Sequence, residues 1–392
     1  MSFAEIDPPA RILMGPGPSN VPARVYRALM MPTVGHMDPL YFKTMDAIQG
    51  MLREVFVTKN ELTLVLPGTG MAGMEAALAN LLESGDELIV CNGGVFAGRM
   101  PEIGRRCGAG VREIKVPWGR PTQPEEIEKV LKEKTAKVVA LVHGETSTGV
   151  LQSQLPEIAK ICHAHGALLL VDTVASLAGT DFQTDAWEID VVYAGSQKCL
   201  GVPPGLAPIT FGTRAVEALN RRKQKVQSWY LDLTLIRDYW NEKRVYSHTG
   251  PVNMTYAMHE GLRLIVEEGL SQRVARHARM AKALHAGVEA MGLKLFVRNS
   301  ADRCPTVTTI LVPDGADDVL TRKLLLEQHS LEIGGGLGEL KGKAWRVGLM
   351  GEGARPNPVL LFLSAAGGIL RKQGCAIEAG KSVEAAAAVI NG

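Results

Sequence analysis

ALLLVDTVASLAGTDFQTDAWEIDVVYAGSQKCLGVPPG, residues 167–205, reads as two buried strands joined by a polar connection. Ala167–Asp172 and Val191–Ser196 are nearly continuous apolar runs. Runs of that kind suit strands covered on both faces, as in a mainly parallel sheet. Each run gives way to residues that do not belong in a core: Asp172 after the first, Gln197-Lys198 after the second. In an open parallel sheet the carboxyl ends of the strands open onto the ligand crevice. A carboxylate there is costly without a partner. Asp172 is therefore a metal ligand, a ribose anchor, the partner of a cationic ring nitrogen or, more plainly, the cap of the next turn. A lysine in the same crevice loses hydration, which lowers its pKa and makes the amine nucleophilic. The Gly and Pro residues around Lys198, with no charged neighbours, argue against a solvated lysine.

Outward from this stretch, β-rich runs alternate with helical patterns from about residue 60 to 220. Strands are expected at Leu62–Leu66, Glu87–Cys91, Val111–Val116, Val138–His143 and Ile209–Gly212, beside the two already named. Helices are expected at Gly70–Leu82, Pro124–Lys132, Leu155–His165 and Arg214–Arg222. That alternation predicts a doubly wound α/β domain. Two long helical patterns follow, Asn253–Glu268 and Leu270–Met291. Beyond them come strand candidates Leu293–Val297, Val307–Val312, Leu331–Gly334 and Ala344–Gly348, with a helix at Asp317–Gln328. We divide the chain into an N-terminal segment (1–20), rich in Pro and Gly, a large domain (21–270) and a smaller α+β domain (271–392). The segment is expected to pack on the small domain.

The composition of the 392 residues narrows the function. Lys and Arg number 43 against 41 acids, a formal net charge of +2. Such a balance gives no electrostatic case for nucleic acid or an anionic membrane as main partner. Apolar runs such as Pro358–Leu370 are too short to span a bilayer, and the first thirty residues show no signal-peptide pattern. The six cysteines form no CxxC pair, so a metal site is not expected and the thiols read as reduced core residues. A cytoplasmic location is the expectation.

Gly68-Thr69-Gly70-Met71-Ala72-Gly73 follows a strand candidate and opens a helix, a setting in which free N–H groups receive a phosphate. Taken alone it is also a plain glycine turn. A phosphate turn, a crevice carboxylate and a crevice lysine on one sheet are together what pyridoxal phosphate requires. The lysine attaches the cofactor, the aspartate keeps the pyridine nitrogen protonated and the turn holds the phosphate.

With these residues in place, the chain resembles the class V, fold type I aminotransferases, and within them the alanine–glyoxylate and serine–pyruvate (serine–glyoxylate) group. The resemblance rests on GPGPSN (15–20), HGETSTGVLQ (143–152), LLLVDTVASLAG (168–179), GSQKCLGVPPG (195–205), YSHTGP (246–251) and PTVTT (305–309). It implies a large domain with a mainly parallel seven-stranded sheet and a smaller α+β domain. It also implies ping-pong transfer from alanine, serine or glycine to glyoxylate or pyruvate through pyridoxamine phosphate. By resemblance, Lys198 carries the cofactor and Asp172 meets the pyridine nitrogen. Thr69, Gly70, Met71 and Gln197 hold the phosphate, and Thr146 lies beside ring and substrate. Phe96, in NGGVFAGR, stands where relatives stack a tryptophan on the ring. Arg346 receives the substrate carboxylate, with Gly35 of TVGHMDP near the substrate; His36 either lines the mouth or caps a turn. Tyr246 and Thr249 match residues that reach the neighbouring subunit's cofactor, which implies a homodimer with shared sites. A cysteine desulfurase is the rival within the fold, with Cys304 as its only candidate nucleophile. A non-enzymatic binding protein is disfavoured by the presence of Lys198, Asp172 and Arg346 together.

Overall fold

Val138–Val142 and Leu168–Asp172 are almost wholly buried along their length, as continuous aliphatic runs require. They are the middle of the large sheet in the computed structural model, which describes residues 3–392. The strands in chain order are β1 (Ile12–Leu13), β2 (Leu62–Pro67), β3 (Glu87–Asn92), β4 (Gly110–Lys115), β5 (Val138–Val142), β6 (Gly144–Glu145) and β7 (Val150–Leu151). Then come β8 (Leu168–Asp172), β9 (Val191–Tyr193), β10 (Leu206–Phe211), β11 (Val307–Leu311), β12 (Leu331–Glu332), β13 (Gly334–Gly335) and β14 (Ala344–Gly348). Three helices recur below: α1 (Ala23–Leu29), α2 (Pro39–Phe56) and α3 (Gly70–Leu81).

The main sheet has seven strands in the order β2-β10-β9-β8-β5-β3-β4. Only β10 runs against its neighbours, pairing antiparallel with both β2 and β9. Register places Val142 beside Asp172 and Asp172 beside Tyr193, so the carboxyl ends of three central strands form one edge. A second sheet of three antiparallel strands, β11-β14-β13, sets Arg346 opposite Thr309 on one side and Gly334 on the other.

Two apolar cores divide the molecule. One collects side chains from Val25 to Ile265 around the main sheet. The other joins Met14 to residues between Met280 and Ala386. Met14 belongs to this second core because β1 pairs in parallel with β12 in a separate two-stranded sheet, so the N-terminal segment starts beside the second core. The segment then crosses to the large domain, where the Ser19 N–H donates to the Gln197 carbonyl at 2.9 Å.

Four expectations need correction. Leu293–Val297 is not a strand; it contributes one isolated bridge, Leu295 to Ile310. Leu331–Gly334 is two separate pairings, because Leu331–Glu332 turn to β1 while Gly334–Gly335 turn to β14. The strand expected to reach Ser196 stops at Tyr193, and the Ser196 hydroxyl instead donates to the Pro203 carbonyl within the following loop. Finally, β10 starts at Leu206 and reverses direction. Among the described residues no helix is long and apolar enough to cross a membrane.

Candidate active site

Asp172 ends β8 with 3% of its surface exposed. Its Oδ1 accepts the Val174 N–H at 2.7 Å and its Oδ2 accepts the Tyr193 hydroxyl at 2.7 Å. Burial still pushes the carboxyl up to about 6, against the pull of those two donors and of Lys198. A carboxyl in this state gains from a cationic neighbour.

Lys198 lies in the turn after β9 and is also buried, at 7% exposure. Burial brings its amine down to about 8, and the Arg346 charge works in the same direction. The Lys198 ammonium donates to the Pro16 carbonyl, on the GPGPSN strap between β1 and α1. The Ser19 hydroxyl donates to the Lys198 carbonyl at 2.7 Å. Gly17, at φ +101°, lies so close that a Cβ there would stand 2.5 Å from Lys198 Cδ. Glycine is required at this position both by the backbone and by the lysine beside it.

Arg346 comes from the small sheet, in the middle strand β14, and is 8% exposed. Its Nε donates to the Gly335 carbonyl at 2.8 Å and its Nη1 to the Thr146 carbonyl at 3.2 Å. Both partners are backbone carbonyls, and neither neutralises its charge. Burial lowers the guanidinium to about 10, partly offset by Glu145. Thr146 is itself buried, in the turn between β6 and β7.

At the start of α3, Thr69 is the cap residue but its side chain makes no capping bond. Gly70 packs so tightly on Val174 that a Cβ would lie 2.7 Å from Val174 Cγ2. Met71 is tied to the next loop, since Arg99 Nη1 donates to the Met71 sulfur at 3.2 Å while its guanidinium covers the Phe96 ring at 4.8 Å. Arg99 thereby bridges Met71 and the Phe96 ring. Gln197 Oε1 is buried and has no hydrogen-bond partner.

Three expected residues stand apart from this group. Tyr246 and Thr249 are exposed and face each other, their hydroxyl oxygens 3.4 Å apart. Tyr246 packs against His36 with ring centroids 5.2 Å apart, and Gly35 is exposed beside it. The His36 carbonyl accepts the Tyr239 hydroxyl at 2.6 Å. This is a surface cluster of its own, and no hydrogen bond among the described residues links Tyr246 or Thr249 to Lys198, Asp172 or Arg346.

The model of the family "Aminotransferase class-V" matches residues 19–337. The chain belongs to the class V aminotransferases. It is 40% identical to the (S)-ureidoglycine–glyoxylate transaminase of Bacillus subtilis over 97% of this chain and 96% of that protein. With the alanine–glyoxylate aminotransferase of Drosophila melanogaster it shares 40% identity over 91% of each. Among solved structures, the ureidoglycine–glyoxylate aminotransferase from Bacillus subtilis superposes with a TM-score of 0.96, covering 99% of this chain and all of that one at 40% identity. An alanine–glyoxylate aminotransferase from Nostoc sp. gives 0.93 at 44% identity, covering 95% and 98%.

Class V aminotransferases have the type I fold and depend on pyridoxal phosphate, and the residues here fit that group. The uncapped first turn of α3 offers N–H groups to a phosphate. Gln197, whose buried Oε1 has no partner, carries a side-chain NH2 that can donate to a phosphate. A proton-hungry carboxyl and a weakly basic lysine complete the donor set at one sheet edge.

Sequence reasoning missed Tyr193, Glu145, Arg99 and the Pro16 carbonyl. Tyr193 had a legible signal, a tyrosine at the end of an otherwise aliphatic strand, whereas the others depend on contacts between distant segments. Cys304, the candidate for a desulfurase, is fully buried and within 3.2 Å of the Thr306 hydroxyl. Burial pushes its thiol up, so it is a packed core group and not a poised nucleophile.

Proposed function

We propose that this aminotransferase takes the amino group of a small amino acid (alanine, serine or glycine) and delivers it to glyoxylate or pyruvate, in a ping-pong cycle. The observation that carries the reading is Arg346, a buried guanidinium bonded only to two backbone carbonyls, in the site that also holds Lys198. An α-carboxylate supplies the charge that such a cation lacks, and a guanidinium fork binds it through two parallel bonds. Glyoxylate is common to the names of the Bacillus and Drosophila relatives, which favours it as acceptor.

In this reading bound pyridoxal phosphate supplies an electron sink for the carbanion left when the substrate Cα loses its proton. Lys198 holds the cofactor. Once the amino donor has displaced it, the free Lys198 Nζ, whose pKa burial brings down to about 8, would be the base that removes the Cα proton and later returns one. Asp172 presents negative charge to the pyridine nitrogen. Gly70, Met71, Thr69 and Gln197 bind the phosphate, and Phe96 covers one face of the ring. Thr146 lines the substrate side. The buried edge of the sheet excludes water from the reacting atoms.

The remaining residues belong to a homodimer. Met30 is 83% exposed, Trp229 65% and Tyr246 56%, an apolar surface suited to a second copy of the chain. Docking there would carry Tyr246 and Thr249 to the partner's cofactor phosphate and Gly35 to its substrate.

A donor–acceptor matrix tests the proposal: alanine, serine, glycine and (S)-ureidoglycine against glyoxylate and pyruvate. Turnover of at least one of the three amino acids with glyoxylate or pyruvate is expected. Turnover with ureidoglycine alone overturns the choice of donor.

A further inference from the structure

Glu145 is a buried carboxylate, 4% exposed, that none of the binding roles above uses. It sits at the end of β6, and four donors converge on it. Oε1 accepts the Ser147 hydroxyl at 2.6 Å, the Ser147 N–H at 3.0 Å and the Phe96 N–H at 3.4 Å, while Oε2 accepts the Ala97 N–H at 3.1 Å. The Ser147 hydroxyl oxygen in turn accepts the Val95 N–H at 2.9 Å. Three successive amides of the loop after β3 are therefore held by one carboxylate and one hydroxyl from the turn between β6 and β7. The fit is close enough to dictate sequence, because a Cβ on Gly94 would stand 2.4 Å from Glu145 Cγ. The residue between the two anchors, Thr146, gives its carbonyl to Arg346.

We infer that Glu145 is a positioning residue for the transamination site. Its carboxylate sets the place of Phe96 over the cofactor pocket, and the same turn presents the Thr146 carbonyl that orients Arg346. One carboxylate thus ties the ring-covering loop of the large domain to the carboxylate-binding arginine of the small one. Both carboxylate oxygens accept from N–H groups, which calls for an acid here: a glutamine would turn an NH2 donor against one of those N–H groups. The inference takes the meaning of Phe96 and Arg346 from the aminotransferase reading, but the geometry of the clamp does not depend on it.

Amide hydrogen exchange on cofactor-free protein tests the clamp without any turnover. In Glu145→Ala the Phe96 and Ala97 amides should exchange about tenfold faster, the effect of losing a charge-assisted bond at each. The amides of Leu88, Ile89 and Val90 in β3 should not change. Glu145→Gln keeps an acceptor for Phe96 but turns an NH2 toward Ala97, so Ala97 should exchange about as fast as in the alanine variant while Phe96 stays within about threefold of the wild type. The dissociation constant for pyridoxal phosphate, from fluorescence titration, should follow the same order, with alanine at least about tenfold weaker than wild type and glutamine between the two. If the alanine variant does not fold, Ser147→Ala should speed exchange at Val95 about tenfold on its own. Unchanged exchange at residues 95–97 overturns the inference, as does a uniform rise through β3 or a glutamine variant whose Phe96 amide exchanges as fast as in the alanine variant. A wild type inactive in the donor–acceptor matrix but with this exchange pattern would fault the functional reading and leave the clamp standing.

Discussion

The Tyr193 hydroxyl donates to Asp172 Oδ2 at 2.7 Å, with the tyrosine fully buried and the aspartate nearly so. The two residues are register partners on adjacent parallel strands, so the bond is set by the sheet. The Asp172 charge in turn helps hold the phenol well above its usual range, after burial itself. The phenol therefore remains a donor at any working pH. Together with the Val174 N–H it fixes both carboxyl oxygens, and yet the carboxyl remains short of a charge partner. A site that binds a cation this way trades stability of the empty protein for affinity.

Asp172→Asn exposes that trade. The folded carboxyl lies near 6 against an ordinary 3.8, so the native state holds this proton more tightly than the unfolded chain. Wild-type stability from this group therefore falls as pH rises from about 4 to 6, and the full cost, about 3 kcal/mol, is present above pH 6. Cofactor-free Asp172→Asn should be more stable than cofactor-free wild type at pH 7.5 by up to that amount, with the difference gone near pH 4. Turnover should meanwhile fall on the order of a hundredfold or more, the usual size of such charge stabilisation. Denaturant melts at the two pH values, with a rate assay, decide it; equal stability at pH 7.5 would make Asp172 an ordinary turn cap.

Lys198 should show its lowered pKa directly. The uncharged amine population rises through about pH 8, not through the usual lysine range above 10. Labelling of Lys198 in cofactor-free protein by an amine-reactive reagent should therefore reach half its maximal rate near pH 8. A midpoint near 10 would mean that the amine is solvated. Lys198→Ala should fold and show no turnover, because attachment and proton transfer are both lost; near-normal transamination by it would remove Lys198 from the mechanism.

How much of this was legible varied with the distance between the parts. β5 and β8 were clear because continuous aliphatic runs have few other uses, and Asp172 and Lys198 stood out as charges next to such runs. The Pro39–Phe56 helix was overlooked although Asp38 caps it and Tyr41, Met45, Ile48 and Leu52 keep a helical period. The direction of β10 was not legible, since an apolar strand reads the same both ways. The false strand at Leu293–Val297 alternates correctly and lies along the free edge of β11, but its contact is confined to the Leu295–Ile310 bridge and the backbone bonds of Phe296 to Thr309 and Leu311 to Lys294 on either side of it. Glu145 and Pro16 carry no local signal at all: each acts on a segment about 50 to 180 residues away in the chain. Tyr246, Thr249 and Gly35 form an exposed cluster that no hydrogen bond joins to Lys198, Asp172 or Arg346.

Gly17→Ala tests the strap that crosses Lys198. The new methyl would meet the Cδ, Cε and Nζ atoms of the lysine at 2.5–2.7 Å, and the lysine end is the part free to move. Ala at φ +101° adds a backbone cost of about 1–2 kcal/mol. The variant should fold with a modest loss of melting temperature but retain much less cofactor through purification. Absorbance of the bound cofactor measures it; a wild-type cofactor content would show that the strap yields instead of the lysine.

Arg346→Lys decides how the substrate is held. The replacement keeps a positive charge but not the planar fork, and it cannot reach the Gly335 and Thr146 carbonyls while offering two parallel donors to a carboxylate. We expect kcat/KM for L-alanine and L-serine to fall by a factor corresponding to about 2 to 3 kcal/mol, with cofactor content unchanged because Arg346 makes no part of the phosphate turn. The same geometry limits the wild type. Arg322 packs beside Gly335, but its guanidinium is already paired with Asp318 at 2.8 and 3.1 Å. A second substrate carboxylate would have to break that pair, so L-aspartate and L-glutamate should be poor donors. Unchanged kinetics in Arg346→Lys would make the arginine a brace for the small sheet, and vigorous turnover of L-aspartate by the wild type would mean that Arg322 leaves Asp318 to receive it. The single variant Asp318→Asn separates these outcomes, since freeing Arg322 should raise aspartate turnover only if its guanidinium faces the substrate.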